Sequence, residues 1–268
     1  RQLELKDLRQ HVEALYASLD PVMMVHGNMT RAAALNLRAR TSSLVMADVT
    51  EAEVPRSQLK RLAPGSQTVE ASVQHSDQGY LRYIQGPDKA YETKAAYRVM
   101  AQVLSQPFYE TIRTNRQMGY IVQGMAYPIL DVPALGFIVQ SPDNSHAEIN
   151  KAVQTFLEGQ EEHLSGMPAE RFQRQKEAVI SRIAEDPTQL SEVADRYWQE
   201  IDRMNRDFDT RETLISAIRD LDQARFLEIF RQQVLERPRQ LLINANSEAS
   251  EGAGKGQGLN FDGRFPAY

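Results

Sequence analysis

Histidine spacing is the first test for metal chemistry, because the helix of a zinc peptidase needs two histidines four residues apart with a glutamate nearby. The chain has five histidines, and no two of them have that spacing. His146 is followed by Glu148, but no second histidine lies close to this pair. The sequence therefore predicts no metal site among its histidines, which are His11, His26, His75, His146 and His163.

Motifs for nucleophilic catalysis and phosphate binding are also absent from the sequence. A serine hydrolase typically carries the motif Gly-x-Ser-x-Gly, and a phosphate-binding loop carries Gly-x-x-x-x-Gly-Lys. The chain contains neither motif. It has no cysteine, which excludes disulfides, thiolate metal sites and a cysteine nucleophile. We predict that these residues include no catalytic residue.

Composition narrows the classes of partner. The net charge is -5, with both signs mixed along the chain and no basic stripe of the kind that a nucleic-acid binder shows. A membrane span needs about 20 consecutive apolar residues, and no such run exists. Apolar residues make up 41% of the 268, which is enough for a packed core. We expect neither a nucleic-acid partner nor a membrane span.

The elements that must position any site begin with a helix. Apolar residues at steps of three and four predict an amphipathic helix over residues 2–19. The apolar run at 22–25 predicts a short buried strand, and Thr30 suits the N-cap of a helix that runs to about Leu44. The Pro- and Gly-containing stretch at 47–66 predicts a linker.

A second series of strands and helices follows the linker. Alternating residues at 69–74 and 80–84 predict a β-hairpin. The helical pattern at 88–118 should kink at Pro107 and end with Gly119 as its C-cap. The remaining predicted strands are at 120–125, 135–140 and 240–244. The remaining predicted helical segments are at 145–164, 168–204, broken near Pro187, and 210–235.

An internal echo suggests the division into domains. The stretches 9–30 and 227–247 each read as an amphipathic helix, a proline-containing stop, an apolar strand and a turn with asparagine, as in tandem copies of one α+β unit. We predict the C-terminal part of a preceding domain at 1–56 and a complete final domain at 57–246. The remaining tail, 247–268, is rich in glycine and is expected to be disordered.

The segment 106–122 carries a resemblance to a known family. It is similar to the insulysin and pitrilysin peptidases, whose C-terminal halves read aromatic-x-x-Leu-Arg-Thr-x-x-Gln-Leu-Gly-Tyr-x-Val. Further similar stretches are VMMVHGNMTRAAA from Val22, GFIVQS from Gly136 and FDTRE from Phe208. The residues of the segment that match the pattern are Phe108, Arg113, Thr114, Gln117, Gly119, Tyr120 and Val122.

The resemblance implies an α+β fold with an antiparallel sheet packed by several helices, the roll domain of insulysin and mitochondrial processing peptidase. Four such domains form two halves that close around a peptide, and the inverted zinc motif His-x-x-Glu-His lies in the first. This chain, which opens on Arg1 without an initiator methionine, would be the C-terminal half of a longer zinc endopeptidase. Zinc would be bound by the N-terminal half, and the fragment alone would be inactive.

The resemblance also implies two substrate-binding residues. In the family, the arginine and tyrosine of this motif reach towards the substrate near the bond to be cut, and here they are Arg113 and Tyr120. A guanidinium and a phenol donate well to a peptide carbonyl. Without the family, Arg113 would be a cation favoured by the helix dipole and Tyr120 an ordinary edge aromatic. Phe108 and Tyr109 are expected to pack.

An alternative function is a binding or assembly subunit, because some relatives with this fold have lost the zinc motif. The expected partners are a peptide substrate and the N-terminal half of the same polypeptide. Absence of cysteine is compatible with both cytoplasm and periplasm, and the analogy with pitrilysin favours the periplasm.

Overall fold

The computed structural model describes residues 3–45, 50–51 and 56–247. Part of the predicted linker at 47–66 lies outside the described residues. The predicted disordered tail also lies outside them, from residue 248 onward. The chain divides into two compact units. The smaller unit comprises Arg1–Ser57 and Pro187–Phe208, and the larger comprises Gln58–Asp186 and Asp209–Tyr268.

The described residues form helices and strands in mixed order, with five consecutive helices before the last strand. The strands are β1 (Ser18–Leu19), β2 (Thr50–Glu51), β3 (Gly65–Val73), β4 (Gln78–Gln85), β5 (Ile121–Ala126), β6 (Ala134–Ser141) and β7 (Arg239–Ser247). The α-helices are α1 (Leu5–Tyr16), α2 (Arg31–Val45), α3 (Tyr91–Tyr109), α4 (His146–Ser165), α5 (Ala169–Ala184), α6 (Leu190–Asp202), α7 (Thr210–Asp220) and α8 (Gln223–Phe230). Short π-helical segments continue α3 at Glu110–Asn115 and α8 at Arg231–Glu236.

The smaller unit contains the two helices predicted at the start of the chain. Thr30 caps α2 as expected, because its Oγ1 accepts a hydrogen bond from the Ala33 N–H at 3.2 Å. The buried strand predicted at 22–25 is wrong: these residues lie in no described strand, and Val22 is 48% exposed. A short apolar run does not by itself specify a strand, because a strand also needs a partner for its backbone hydrogen bonds.

The larger unit contains a five-stranded sheet with the order β3-β7-β4-β6-β5. The predicted hairpin is wrong, because β7 lies between β3 and β4. Ile243 of β7 is in register with Val69 in a parallel pairing and with Leu81 in an antiparallel pairing. The turn between β3 and β4 brings both strands into one sheet, but it leaves room for the closing strand to enter between them.

The main core lies between one face of this sheet and the helices. Phe108 of α3 packs against Phe137 of β6 and Phe156 of α4, with ring centroids 5.0 and 5.3 Å apart. Ile84 of β4 belongs to the same core. Because successive strand residues point to opposite faces, Tyr83 faces the other side of the sheet. A smaller cluster on that side contains Leu62, Tyr83 and Ala134. The α+β fold with a helix-packed sheet is confirmed, and within this five-stranded sheet the β3–β7 pair is parallel.

A buried lysine joins α5 to the end of α7. The Lys176 ammonium donates to the carbonyl oxygens of Arg219 and Leu221 at 2.7 and 2.8 Å. The last carbonyls of a helix lack partners within the helix, so a cation at this position both satisfies them and interacts favourably with the helix dipole. Burial lowers the pKa of the Lys176 ammonium.

We expect Lys176→Met to lower the free energy of unfolding by about 2 kcal/mol, because one buried and one partly buried carbonyl oxygen lose a donor at about 1 kcal/mol each. Urea unfolding followed by circular dichroism measures the change. Lys151→Met, at an exposed position of α4, is the control and should shift the free energy by less than about 0.5 kcal/mol. Equal stability of Lys176→Met and the unsubstituted chain would show that these hydrogen bonds contribute nothing.

Candidate functional site

The candidate site lies where α3 ends and β5 begins. Pro107 lies inside α3, and three residues later the helix continues as the π-helical segment Glu110–Asn115. The N–H of Arg116 then donates to the Thr111 carbonyl at 3.1 Å, which closes this segment. Single π turns are uncommon in α-helices and occur frequently at functional sites.

The residue that turns the chain out of the helix is Gln117, whose φ of 53° lies in the left-handed region. The prediction that Gly119 is the C-cap is therefore wrong. Gly119 is needed for a different reason: a Cβ at this position would overlap the carbonyl oxygen of Gln140 in β6 and lie 3.1 Å from its carbonyl carbon. Its glycine lets the backbone approach β6, where the Tyr120 N–H donates to the Gln140 carbonyl oxygen at 3.2 Å.

Arg113 is held at this junction by a main-chain contact. Its Nη1 donates to the Gly119 carbonyl oxygen at 2.6 Å. That oxygen belongs to the peptide group whose nitrogen is Tyr120, so the guanidinium and the tyrosine flank one peptide bond. A guanidinium carries five N–H donors, and one bond to a carbonyl does not exhaust them. The fold therefore fixes the Arg113 side chain while it keeps the capacity to donate further hydrogen bonds.

Tyr120 is held by two polar residues from neighbouring strands and turns. Its hydroxyl donates to Asp77 Oδ2 at 2.6 Å and accepts from Gln140 Nε2 at 2.5 Å. Gln140 Nε2 also lies 3.2 Å from Asp77 Oδ2. Tyr120 is 46% exposed, so its orientation comes from these hydrogen bonds and not from burial in the core.

The hydrogen bond between Tyr120 and Asp77 changes the acidity of both groups. It is the main reason that the pKa of the Asp77 carboxyl lies below its ordinary value. The same bond, with the negative charge of Asp77, raises the pKa of the Tyr120 phenol above its ordinary value. At neutral pH the site therefore holds an ionised carboxylate and a protonated phenol.

Asp77→Asn should make stability less dependent on pH in the acidic range. Because the folded state lowers the Asp77 pKa, this carboxylate stabilises the fold above its unfolded pKa, and the contribution is lost as the pH falls through the folded value. We expect the unfolding free energies of the unsubstituted chain and Asp77→Asn to differ at pH 7 and to converge below about pH 4. Urea unfolding at a series of pH values measures this. A difference that stays constant down to pH 2 would contradict the assignment.

Sequence reasoning identified Arg113 and Tyr120 and missed Asp77 and Gln140. The structure brings Arg113 and Tyr120 to the same junction, and their role towards a substrate stays a prediction. Asp77 lies in the turn before β4 and Gln140 in β6, far from Tyr120 in sequence. No local spacing connects them, since they meet only through the pairing of β5, β6 and β4.

The two aromatic residues before the π-helical segment differ from each other. Phe108 is fully buried, as expected for a packing residue. Tyr109 is 46% exposed, so the expectation that it packs is wrong. Successive helix residues point about 100° apart, and α3 has only one face against the sheet.

The described residues do not fit a zinc site. Across residues 3–45, 50–51 and 56–247, no group of three His, Cys, Asp or Glu side chains is placed to hold a metal ion. The Nε2 atom of His146 lies 3.0 Å from the Gly79 carbonyl oxygen, so its hydrogen-bonding partner is the main chain of β4. In the same part of the chain, no helix has the length and apolar character needed to cross a membrane.

The chain is similar to known peptidases along most of its length. The profile of the family described as PQQ synthase PqqF-like, C-terminal lobe domain 4, matches residues 99–198. Protease 3 of Escherichia coli is 27% identical over 259 residues, which cover 93% of this chain and 26% of the relative. Human insulin-degrading enzyme is 26% identical over 263 residues, which cover 92% of this chain and 25% of that enzyme. The chain thus spans about a quarter of the length of these relatives.

The chain is also similar to solved peptidase structures. The crystal structure of pitrilysin matches with a TM-score of 0.82 and 25% identity, over 94% of this chain and 27% of that one. An inactive peptidase domain from Pseudomonas fluorescens matches with a TM-score of 0.58 over 82% of this chain and 52% of that one. Its identity of 16% shows a shared fold alone.

Proposed function

We propose that the chain, which belongs to the insulysin and pitrilysin family of peptidases, forms part of the substrate-enclosing C-terminal half of a zinc-dependent endopeptidase. The whole enzyme degrades peptides in a closed chamber. These 268 residues supply part of the chamber wall and hydrogen-bond donors for the substrate, and they do not cleave a peptide alone.

The observation that carries this proposal is the placement of Arg113 and Tyr120 at one junction. Arg113 is fixed by its bond to the Gly119 carbonyl, and Tyr120 is oriented by Asp77 and Gln140 while its ring stays exposed. Side chains whose positions are fixed before substrate binds lose little entropy when they bind it. Such donors stabilise a carbonyl oxygen that gains negative charge. One donor lowers the activation free energy by about 3 kcal/mol.

Arg113 and Tyr120 have different roles in this proposal. The Arg113 guanidinium donates to a substrate carbonyl without losing its bond to Gly119, because it has donors to spare. The Tyr120 proton is directed at Asp77, so the hydroxyl donates to a substrate only after it rotates away from that carboxylate. Asp77 and Gln140 then serve as positioning residues that hold the phenol until substrate arrives.

Zinc in this proposal is bound by polypeptide outside these 268 residues. No group of three potential ligands lies together among the described residues, which supports this placement of the metal, and no catalytic step is assigned to this chain. Its contribution is to bind and orient the peptide. The periplasm is the proposed compartment, by analogy with pitrilysin.

The proposed protein partner is the N-terminal half of the same polypeptide. Helices α1 and α2 bury none of their described residues within this chain. Leucines on both are strongly exposed, among them Leu5 at 64% and Leu44 at 81%. Apolar surface of this kind is typical of an interface. We propose that this surface packs against the polypeptide that completes the enzyme.

Zinc analysis and a peptide cleavage assay test the proposed function when they are run on this chain and on the longer polypeptide side by side. We expect stoichiometric zinc and cleavage from the longer protein only, because the donor set needed for zinc is not found in the described residues. Cleavage by the 268-residue chain alone would contradict the proposal. A longer protein that binds peptides but no zinc would support the alternative of a binding or assembly subunit.

A further inference from the structure

A groove in the larger unit lies between α3, α5 and the edge strand β5, with a volume of about 1120 Å³. Its floor includes a chain of polar contacts between the helices: Arg182 Nη2 donates to Gln102 Oε1 at 2.9 Å, and Gln102 Nε2 donates to Gln175 Oε1 at 3.1 Å. Exposed Tyr109 lines the same groove. Arg113 and Tyr120 do not line it, so the groove is distinct from the candidate site.

The groove reaches the edge of the sheet and not only one face of it. Successive residues of a strand point to opposite faces, so a cavity against one face would touch alternate residues. This groove borders five consecutive residues of β5, from Val122 to Ala126. Contact with residues of both orientations places the groove along the edge of the strand. Strand β5 is the last strand of the sheet in the described part of the chain.

The pairing of β5 with β6 shows which peptide groups face this edge. The Tyr127 N–H donates to the Ala134 carbonyl at 2.8 Å, so Tyr127 directs its peptide groups towards β6. In an antiparallel pair the residues alternate between facing the partner strand and facing away. Val122, Gly124 and Ala126 therefore direct their N–H and C=O groups away from β6, in the spacing that another strand would need. Val122 and Gly124 are buried and Ala126 is half-buried, and all three border the groove.

The groove also has a net positive charge. Its lining contains three arginines (Arg98, Arg171 and Arg182) and one carboxylate, Glu110. This charge is opposite in sign to that of the chain, which is -5. An occupant that complements this groove therefore has two properties: it carries negative charge, which suits the arginines, and it has an extended main chain, which suits the edge of β5.

We propose that this groove binds an extended, acidic peptide segment, which adds to β5 as a further strand. The hydrogen bonds to Val122, Gly124 and Ala126 supply sequence-independent affinity, and the arginines favour glutamate or aspartate at alternate positions of the segment. The inference goes beyond the proposed function, because it requires neither zinc nor cleavage and uses residues away from Arg113 and Tyr120.

The test uses the 268-residue chain and a fluorescein-labelled ten-residue peptide of alternating threonine and glutamate, with binding followed by fluorescence anisotropy. We expect saturable binding of this peptide and at least about tenfold weaker binding of the alternating threonine–lysine peptide, since charge complementarity is lost. The acidic peptide N-methylated at every residue should also bind at least about tenfold more weakly, because neither of its edges then has N–H donors for β5.

Variants of the chain separate strand addition from simple attraction between charges. Ala126→Pro removes one N–H from the open edge and leaves the pairing with β6 in place, and it should weaken binding about tenfold. The double change Arg171→Gln and Arg182→Gln should weaken it similarly, whereas Arg237→Gln, an exposed arginine outside the groove, should not. Circular dichroism checks that each variant is folded.

Three results would overturn the proposal: no binding of the acidic peptide, equal binding of its N-methylated form, or equal binding by the chain without Arg171 and Arg182. The N-methylated peptide needs no change to the protein, so a failure of Ala126→Pro to fold would not remove the test. Cleavage activity enters none of these measurements, and their outcome is therefore independent of the proposed function.

Discussion

In the longer peptidase proposed above, Arg113→Ala is expected to lower kcat/KM about a hundredfold, which corresponds to about 3 kcal/mol of transition-state stabilisation. The reason is the loss of a charged donor that the fold holds in place through the Gly119 carbonyl. Steady-state cleavage of a fluorogenic peptide measures the effect. The unfolding free energy should change by about 1 kcal/mol at most, because one partly buried hydrogen bond is lost.

Arg116→Ala is the matched control for this prediction. Arg116 lies three residues further along the chain and is exposed, so its loss should leave kcat/KM within about twofold. A Tyr120→Phe change removes the phenolic hydroxyl, and its effect should be less than additive with Arg113→Ala if both side chains act on one carbonyl. Unchanged cleavage by Arg113→Ala would reject its assigned role.

Gly119→Ala is expected to cost about 3 kcal/mol of stability and most of the cleavage activity. The added Cβ would overlap the Gln140 carbonyl oxygen, which is part of a paired strand and cannot move cheaply. Overpacking costs about 1 to 3 kcal/mol, and the hydrogen bond from Tyr120 N to Gln140 adds about 1 kcal/mol when it breaks. The junction that holds Arg113 and Tyr120 would then shift.

Gly159→Ala serves as the control, because a Cβ at Gly159 in α4 meets no atom within 4 Å. Alanine is favoured over glycine inside a helix, so this change should stabilise the chain by about 0.5 to 1 kcal/mol. Urea unfolding of both variants gives the comparison. If Gly119→Ala were as stable as the unsubstituted chain and fully active in the longer enzyme, the close approach to β6 would be irrelevant to the site.

Local patterns in the sequence were sufficient for most elements of the larger unit. Helix α4 was predicted at 145–164 and begins at His146, because Ser145 and Glu148 form a capping box that is visible in the sequence. The order of the strands was not predictable from such patterns. Strand β7 enters between β3 and β4 through contacts some 170 residues apart along the chain, such as that between Asn244 and Glu70, which differ by 174 positions.

Only the part of the site that lies in one local segment could be predicted from the sequence. Arg113, Gly119 and Tyr120 lie within one short segment, so a motif could identify them. Asp77 reaches the Tyr120 hydroxyl from 43 positions away, and only the folded sheet places it there. The role of Gly119 was misjudged because a glycine after a helix usually marks a left-handed cap. Here Gln117 takes that conformation, and Gly119 serves the contact with β6.

The most direct test of the central claim is a structure of the longer peptidase with a bound, uncleaved peptide. The account predicts that Arg113 and the Tyr120 hydroxyl lie within about 3 Å of carbonyl oxygens next to the bond to be cut, and that zinc is bound by residues outside this chain. A peptide that passes far from both side chains, or a zinc ion held by residues of this chain, would contradict it.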